Sequence, residues 1–451
     1  MPKSRCLPRT AIAVVGLVIP CIAPRWAWAK NSVHGTGSVS IGYSDNISGA
    51  PSEPEPGDPE RVGDALVTLI PGIVYLHSSE TVVFFAAWRH PSNYYLTHPG
   101  ARVSGDEGDV GLYVDASETD QLLLTLTGTR TTAGQSGFSE SEVAAQPGES
   151  FTYVGAGLGE TWTHQFSEYW SSSQGVSAST VIPVGSDEED PVRASFGGGL
   201  GVSYRWGAFS ASLGGDAQAS WLPGSETTAP LTNPEPDRLP IIVKGLLTLR
   251  GDLSQEWSID GSGGVVYARD PLVEETYVGP IWGAGVHFAR EAWRASLTYR
   301  RDINTDLVTA RTTLSDTVSL SGGIPISTKH YVGILTTSGV SVNRQISLDE
   351  TVNDTFYFWI ADAAVGWLNP KYPSVLLRYT HLEQLGVDDP SGLLQNFATN
   401  TVMATVEWTV PFGRPLMSLK QPQTRVDDAD QPIIAPPSQM LPGREQRKDR
   451  R

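Results

Sequence analysis

Residues 401–413, TVMATVEWTVPFG, alternate without a break. Val402, Ala404, Val406, Trp408, Val410 and Phe412 share one parity; Thr401, Met403, Thr405, Glu407 and Thr409 share the other. A period of two places these sets on opposite faces of a β-strand, one oily and one wet. The run is longer than the roughly 5–6 residues of an average globular strand. Its oily face needs an apolar phase thicker than the core of a small domain. TFYFWIADAAVGWLN (355–369) repeats the pattern, with Tyr357, Trp359, Ala361, Ala363, Val365 and Trp367 on one face. In EAWRASLTYRR (291–301), Trp293, Ala295, Leu297 and Tyr299 alternate with Arg294, Ser296, Thr298 and Arg300.

Such strands recur from about residue 35 to 413, joined alternately by tight turns and longer polar loops. Tight turns are expected at 78–81, 117–120, 166–168, 206–207, 253–256, 290–292, 327–330 and 369–372. Long loops are expected near 45–61, 97–107, 132–149, 184–192, 221–238, 269–275, 303–312, 343–353 and 386–396. Eight turns and nine loops imply about 18 strands, an even number with both ends on the short-turn side, as a single-chain outer-membrane barrel requires. Trp359 and Trp367 lie far enough apart to belong to the two aromatic girdles of such a barrel. The expected fold is an all-β, transmembrane antiparallel barrel with short periplasmic turns and longer extracellular loops.

The N-terminus agrees. Residues 1–29 carry Lys3, Arg5 and Arg9, a short apolar run and Ala27-Trp28-Ala29 before Lys30, the layout of a signal peptide removed on export. A lipoprotein signal at Cys21 is the rival reading; Val18-Ile19-Pro20 lacks the small residues that its processing needs. Both cysteines, Cys6 and Cys21, fall in this segment, so the mature chain is expected to hold no disulfide, thiolate metal site or cysteine nucleophile. No apolar run after it approaches the 18 or so residues of a membrane helix. A hydrophobic fraction of 39% with 46 Gly, 13 Trp and 15 Tyr suits a membrane barrel better than a soluble enzyme. The net charge of −17 argues against nucleic acid as a partner.

The division of the chain is therefore 1–29 signal peptide, 30–413 barrel and 414–451 a Pro-rich periplasmic tail, expected to be disordered. The tail is either plain solvated chain or a handle for a periplasmic export partner. No GxSxG, Walker loop, HExxH or CxxC is present, so neither enzyme activity nor a cofactor or metal site is expected. His90, His164 and His381 read as lumenal or girdle residues. The acidic loops (Glu53, Glu55, Asp58 and Glu60; Asp187 to Asp190) read as solvated.

Inward parity collects Arg205, Lys244, Arg250, Arg294, Arg300 and Arg378, with Asp216, Asp260, Asp362 and Glu407 opposed to them. Either these pair across the lumen, or they form a basic path for an acidic or heavily hydrated solute. Phe356 and Phe358 point inward near the outer end, either to stack on sugar rings or to pack against a plugging loop.

GSVSIGYSDNIS (37–48) and ALVTLIPGIVYLHSSETVVFFAAWRHPSNYYL (65–96) resemble the outer-membrane barrels associated with exopolysaccharide secretion, including the myxobacterial and PEP-CTERM-associated groups. The resemblance rests on GYSDN at Gly42–Asn46, Pro71-Gly72 and Tyr94-Tyr95. It implies a bacterial outer-membrane protein embedded in outer-membrane lipid that passes a polysaccharide. A nutrient-uptake or general-diffusion porin and a structural or adhesive barrel with a closed lumen are the other readings of the same pattern.

Overall fold

The computed structural model describes residues 30–47, 50, 60–99, 102–133, 151–184, 192–223, 237–271, 275–290, 293–307, 311–327, 332–345, 355–367, 373–388 and 396–412. The expected signal peptide, the acidic stretches 51–59 and 187–190, and the expected tail lie outside them. Twenty strand segments follow in order. They are β1 Lys30–Ser44, β2 Asp64–Ser78, β3 Val82–Arg89, β4 Ser92–Tyr95, β5 Val103–Ser104, β6 Asp106–Asp115 and β7 Asp120–Ala133. Next come β8 Phe151–Gln165, β9 Trp170–Val184, β10 Arg193–Trp206, β11 Phe209–Trp221, β12 Ile241–Asp252, β13 Trp257–Asp270 and β14 Glu275–Arg290. The series ends with β15 Trp293–Asp306, β16 Arg311–Ser327, β17 Val332–Gln345, β18 Thr355–Trp367, β19 Ser374–Asp388 and β20 Phe397–Phe412.

Each pairs antiparallel with its neighbours, and β1 pairs with β20 from Val33↔Phe412 to Ser44↔Thr401, so the sheet closes on itself. β3 and β4 keep one register against β2 (Gly72↔Arg89, Leu66↔Tyr95), and β5 and β6 keep one against them (Ser92↔Ser104, Arg89↔Glu107). Each couple is therefore one barrel strand, and the barrel has 18. The gap between β3 and β4 has a local cause. Pro71 and Pro91 bring no N–H to the ladder, and the His90 N–H donates to the Pro71 carbonyl at 2.9 Å. Beside it, Gly72 lets the backbones close up: a Cβ there would stand 2.8 Å from the Trp88 carbonyl. The expected loop 97–107 is shorter than its polar composition implied, because the strand resumes at Val103.

Four of the tight turns share a chemistry. Ser79-Glu80, Ser117-Glu118, Ser167-Glu168 and Ser254-Gln255 each place a serine hydroxyl at the start of the turn. That oxygen accepts from backbone N–H groups two or three residues on: Val82, Thr119 and Asp120, Tyr169 and Trp170, Glu256 and Trp257, all at 3.0–3.2 Å. Such turns satisfy backbone donors where the ladder ends. The turn after β10 instead uses Gly207 at φ 60°, a conformation that favours glycine.

The faces sort by parity. Outward lie Ile41, Leu126, Val176, Leu200, Leu213, Val265, Leu320 and Val402, all well exposed without lipid, Leu200 at 72%. Closure pairs the backbone of the wall, the condition for crossing a bilayer with strands. Aromatic rings bound this band. At the short-turn end Trp170, Tyr204, Trp206 and Phe209 form a chain of ring contacts, and Trp257 meets Phe288 at 4.8 Å. Toward the long-loop end stand Trp88, Trp282 and Trp359. Trp359 and Trp367 are both exposed and outward, near opposite ends of β18. His90, His164 and His381 sit in these girdles against Trp88, Phe166 and Trp359.

Candidate functional site: the lumen

The lumen narrows at the long-loop end because one hairpin leaves the wall. β15 pairs with β14 only from Arg290↔Trp293 to Trp282↔Arg301, yet it continues with β16 as far as Asp306↔Arg311. Beyond Arg301 this hairpin leans inward. Ile303 and Leu314 cluster with Ile242, Val266 and Ile281 from the inner faces of β12, β13 and β14; Ile303 and Val266 are fully buried. The Leu307 tip packs with Tyr153 of β8, Val181 of β9 and Leu222. Arg193 of β10 donates to the Leu307 carbonyl at 3.0 Å. Lys244 of β12 pairs with Asp302 at 2.8 Å, both largely covered. The stretch 303–312, expected as a loop, is thus mostly strand, held across the mouth by apolar packing and one ion pair. No local signal marked it: Ile303, Leu307 and Leu314 carry the packing, and their partners lie on distant strands.

The inward cations expected from the sequence fall into two groups. Lys244, Arg300 and Arg378 are ion-paired. Lys244 and Arg300 share Asp302, the latter at 2.6 Å, and Arg378 holds Asp362 at 2.9 Å with Thr380 donating to the same carboxylate. Asp216 lies in the cross-strand row of Lys244. By contrast, Arg205, Arg250 and Arg294 make no ion pair among the described residues, and all three lie near the short-turn end of their strands. Arg205, Ser210, Arg250 and Asp260 form one row, through Arg205↔Ser210, Ser210↔Arg250 and Arg250↔Asp260. Asp260 is occupied by His287 at 2.5 Å. Arg205 and Arg294 are exposed within the lumen, and Arg250 is half-buried. Lys244 and Arg250 are six residues apart on β12, about 20 Å along the strand.

The wall over β8 to β11 is hydroxyl-lined. Ser173, Ser177 and Ser179 point inward and are exposed, and Ser203 and Ser212 hydrogen-bond across strands at 2.8 Å. Glu407 faces inward between Ser38 and Ser374, half-buried and without an ion pair among the described residues. Phe356 is inward with no exposed surface, which suits packing rather than stacking on a solute, the two expectations for it; Phe358 is half-buried between Ser341 and Gln384. Thr405 is inward but 8% exposed, its hydroxyl bonded to that of Ser40 at 2.8 Å across the closing seam.

Closed wall, lipid-like outer band, paired girdles and a polar interior define a transmembrane β-barrel. No family model matches the chain, and no curated protein matches it in sequence. Among solved structures it is similar to OccK9 (OpdG) of Pseudomonas aeruginosa, at 11% identity over 85% of this chain and 99% of that one, with a TM-score of 0.44. It is also similar to OpdK of that organism (9%, 83% and 99%, 0.43) and to a variant of its ferric enterobactin receptor PfeA (9%, 84% and 80%, 0.45). The class rests on the chain's own strands and faces, not on these distant likenesses.

Proposed function

We propose that this chain is a bacterial outer-membrane conduit, not an enzyme, through which a hydrated, acidic exopolysaccharide is secreted. The observation that carries this reading is the trio Arg205, Arg250 and Arg294. Among the described residues they are inward cations without ion pairs, at the mouth where short turns would face the periplasm. Unpaired lumenal cations raise the local concentration of an anionic chain and select for it. The hydroxyl wall beyond them offers exchangeable hydrogen bonds to a sugar polymer without binding it tightly. The likeness of Gly42–Asn46, Pro71-Gly72 and Tyr94-Tyr95 to exopolysaccharide-associated barrels supports the choice of polymer. The segment after residue 413 is the natural handle for a periplasmic export partner.

The test is the triple change of Arg205, Arg250 and Arg294 to Glu. Secreted glycan should fall, and anion preference in planar bilayers should reverse, with the amount of folded barrel unchanged. Unaltered secretion and selectivity would refute the reading. A second reading, a solute-selective uptake porin, draws on the hairpin over the long-loop mouth. It predicts that deletion of the gene slows growth on a particular solute and leaves surface glycan intact.

A further inference from the structure

Outward-facing arginines gather at one end of the wall. Arg130 faces outward two residues beyond the row that joins Trp88, Gly108 and Gly128. Arg269 stands two residues beyond the outward Tyr267. Arg301 lies directly across from Trp282, its guanidinium 4.9 Å from the ring, with Asp316 at 3.4 Å. Arg344 is four residues beyond Val340, which pairs with Trp359. Arg102 rests 4.5 Å from the centre of the Tyr94 ring. Each is level with the upper girdle or just past it, where headgroups begin. Arg269 and Arg344 are exposed and make no ion pair among the described residues. At the short-turn end, among the described residues, the outward face carries one arginine or lysine, Arg290, held by Glu256 at 3.3 Å; outward acids stand at both ends, Asp120 and Glu160 here and Asp106, Asp316 and Glu383 at the other.

We propose that this collar of Arg102, Arg130, Arg269, Arg301 and Arg344 binds phosphate groups of the glycolipid that forms the outer leaflet of an outer membrane. The inference rests on the outer-membrane reading above. Guanidinium forks bind phosphate oxygens two at a time. Near a headgroup surface each cation contributes on the order of a fivefold gain in association. Apolar side chains below the collar meet acyl chains while the arginines meet the phosphates above them. The same asymmetry orients the barrel, since the cationic ring belongs to the leaflet with the higher phosphate density.

Native mass spectrometry of the purified barrel in detergent tests this, with bisphosphorylated lipid A and chemically dephosphorylated lipid A as probes. The wild-type protein should retain the bisphosphorylated form and lose the dephosphorylated one. Arg269→Gln with Arg344→Gln should weaken retention about tenfold or more, and adding Arg102→Gln and Arg130→Gln should abolish it. Among the described residues Arg269 and Arg344 have no ion pair to lose, so a heat-modifiable gel band should persist in the double variant. Equal retention of both lipids, or unchanged retention in the variants, would overturn the collar. Absence of the protein from outer-membrane fractions would instead overturn the localisation, independently of the binding result.

Discussion

Asp45 shows how single residues lock the end of the closing seam. It follows β1, and its carboxylate accepts from the Asn400 backbone N–H at 2.7 Å, the Asn400 side chain at 2.8 Å and Arg61 at 2.7 Å. Burial pushes its pKa up, but the Asn400 N–H, the Asn400 amide and Arg61 outweigh burial and leave it below the ordinary carboxylate value. A folded pKa below the unfolded one stabilises above the unfolded value and stops doing so as pH falls through the folded one. Asp45→Asn should therefore cost about 1 kcal/mol at pH 7. The difference from wild type should shrink below about pH 4, measured by urea unfolding in lipid at a series of pH values. Neighbouring residues also report the two faces. Val176 is 59% exposed and outward, and Ser177 is exposed and inward. Cysteine at 177 should react with a water-soluble maleimide in vesicles, and cysteine at 176 should not; equal labelling would contradict the face assignment.

At the scale of elements, the inward hairpin depends on few contacts. Leu307→Asp places a charge against Tyr153, Val181 and Leu222, while Lys244→Met strips Asp302 of a partner in a largely covered site. Together they should speed amide exchange over Ile303–Leu314 by about tenfold or more while β8 and β9 keep their protection. Uniform loss of protection would mean that the hairpin and the wall form one cooperative unit. The serine turns make a smaller claim. Ser254→Ala removes the acceptor for two backbone donors and should cost about 0.5–1.5 kcal/mol, read from urea unfolding in lipid.

For the whole molecule, alternation made the wall legible in the sequence: strand number, inward and outward parity and the girdle tryptophans all follow from a period of two. Alternation says nothing about where a strand leaves the wall. The inward lean of β15 and β16 depends on Ile303 and Leu314 meeting residues of β12 to β14, a long-range packing choice that local pattern does not encode. The same limit hid which lumenal cations pair. Lys244 finds Asp302 because the hairpin leans in, while Arg250 makes no ion pair among the described residues and Asp260, across from it, is held by His287. The serine turns were visible as a recurring Ser-Glu or Ser-Gln pair, though the hydrogen bonds that give the pair meaning needed the fold.

The conduit proposed above requires a water-filled path through this wall, narrowed by the hairpin. Single-channel recording in planar bilayers tests it most directly. The wild-type protein should give discrete conductance steps, and the Lys244→Met, Leu307→Asp variant should give larger ones as the hairpin loosens. Silence from both proteins, with each folded and inserted, would contradict the claim and mark the lumen as sealed.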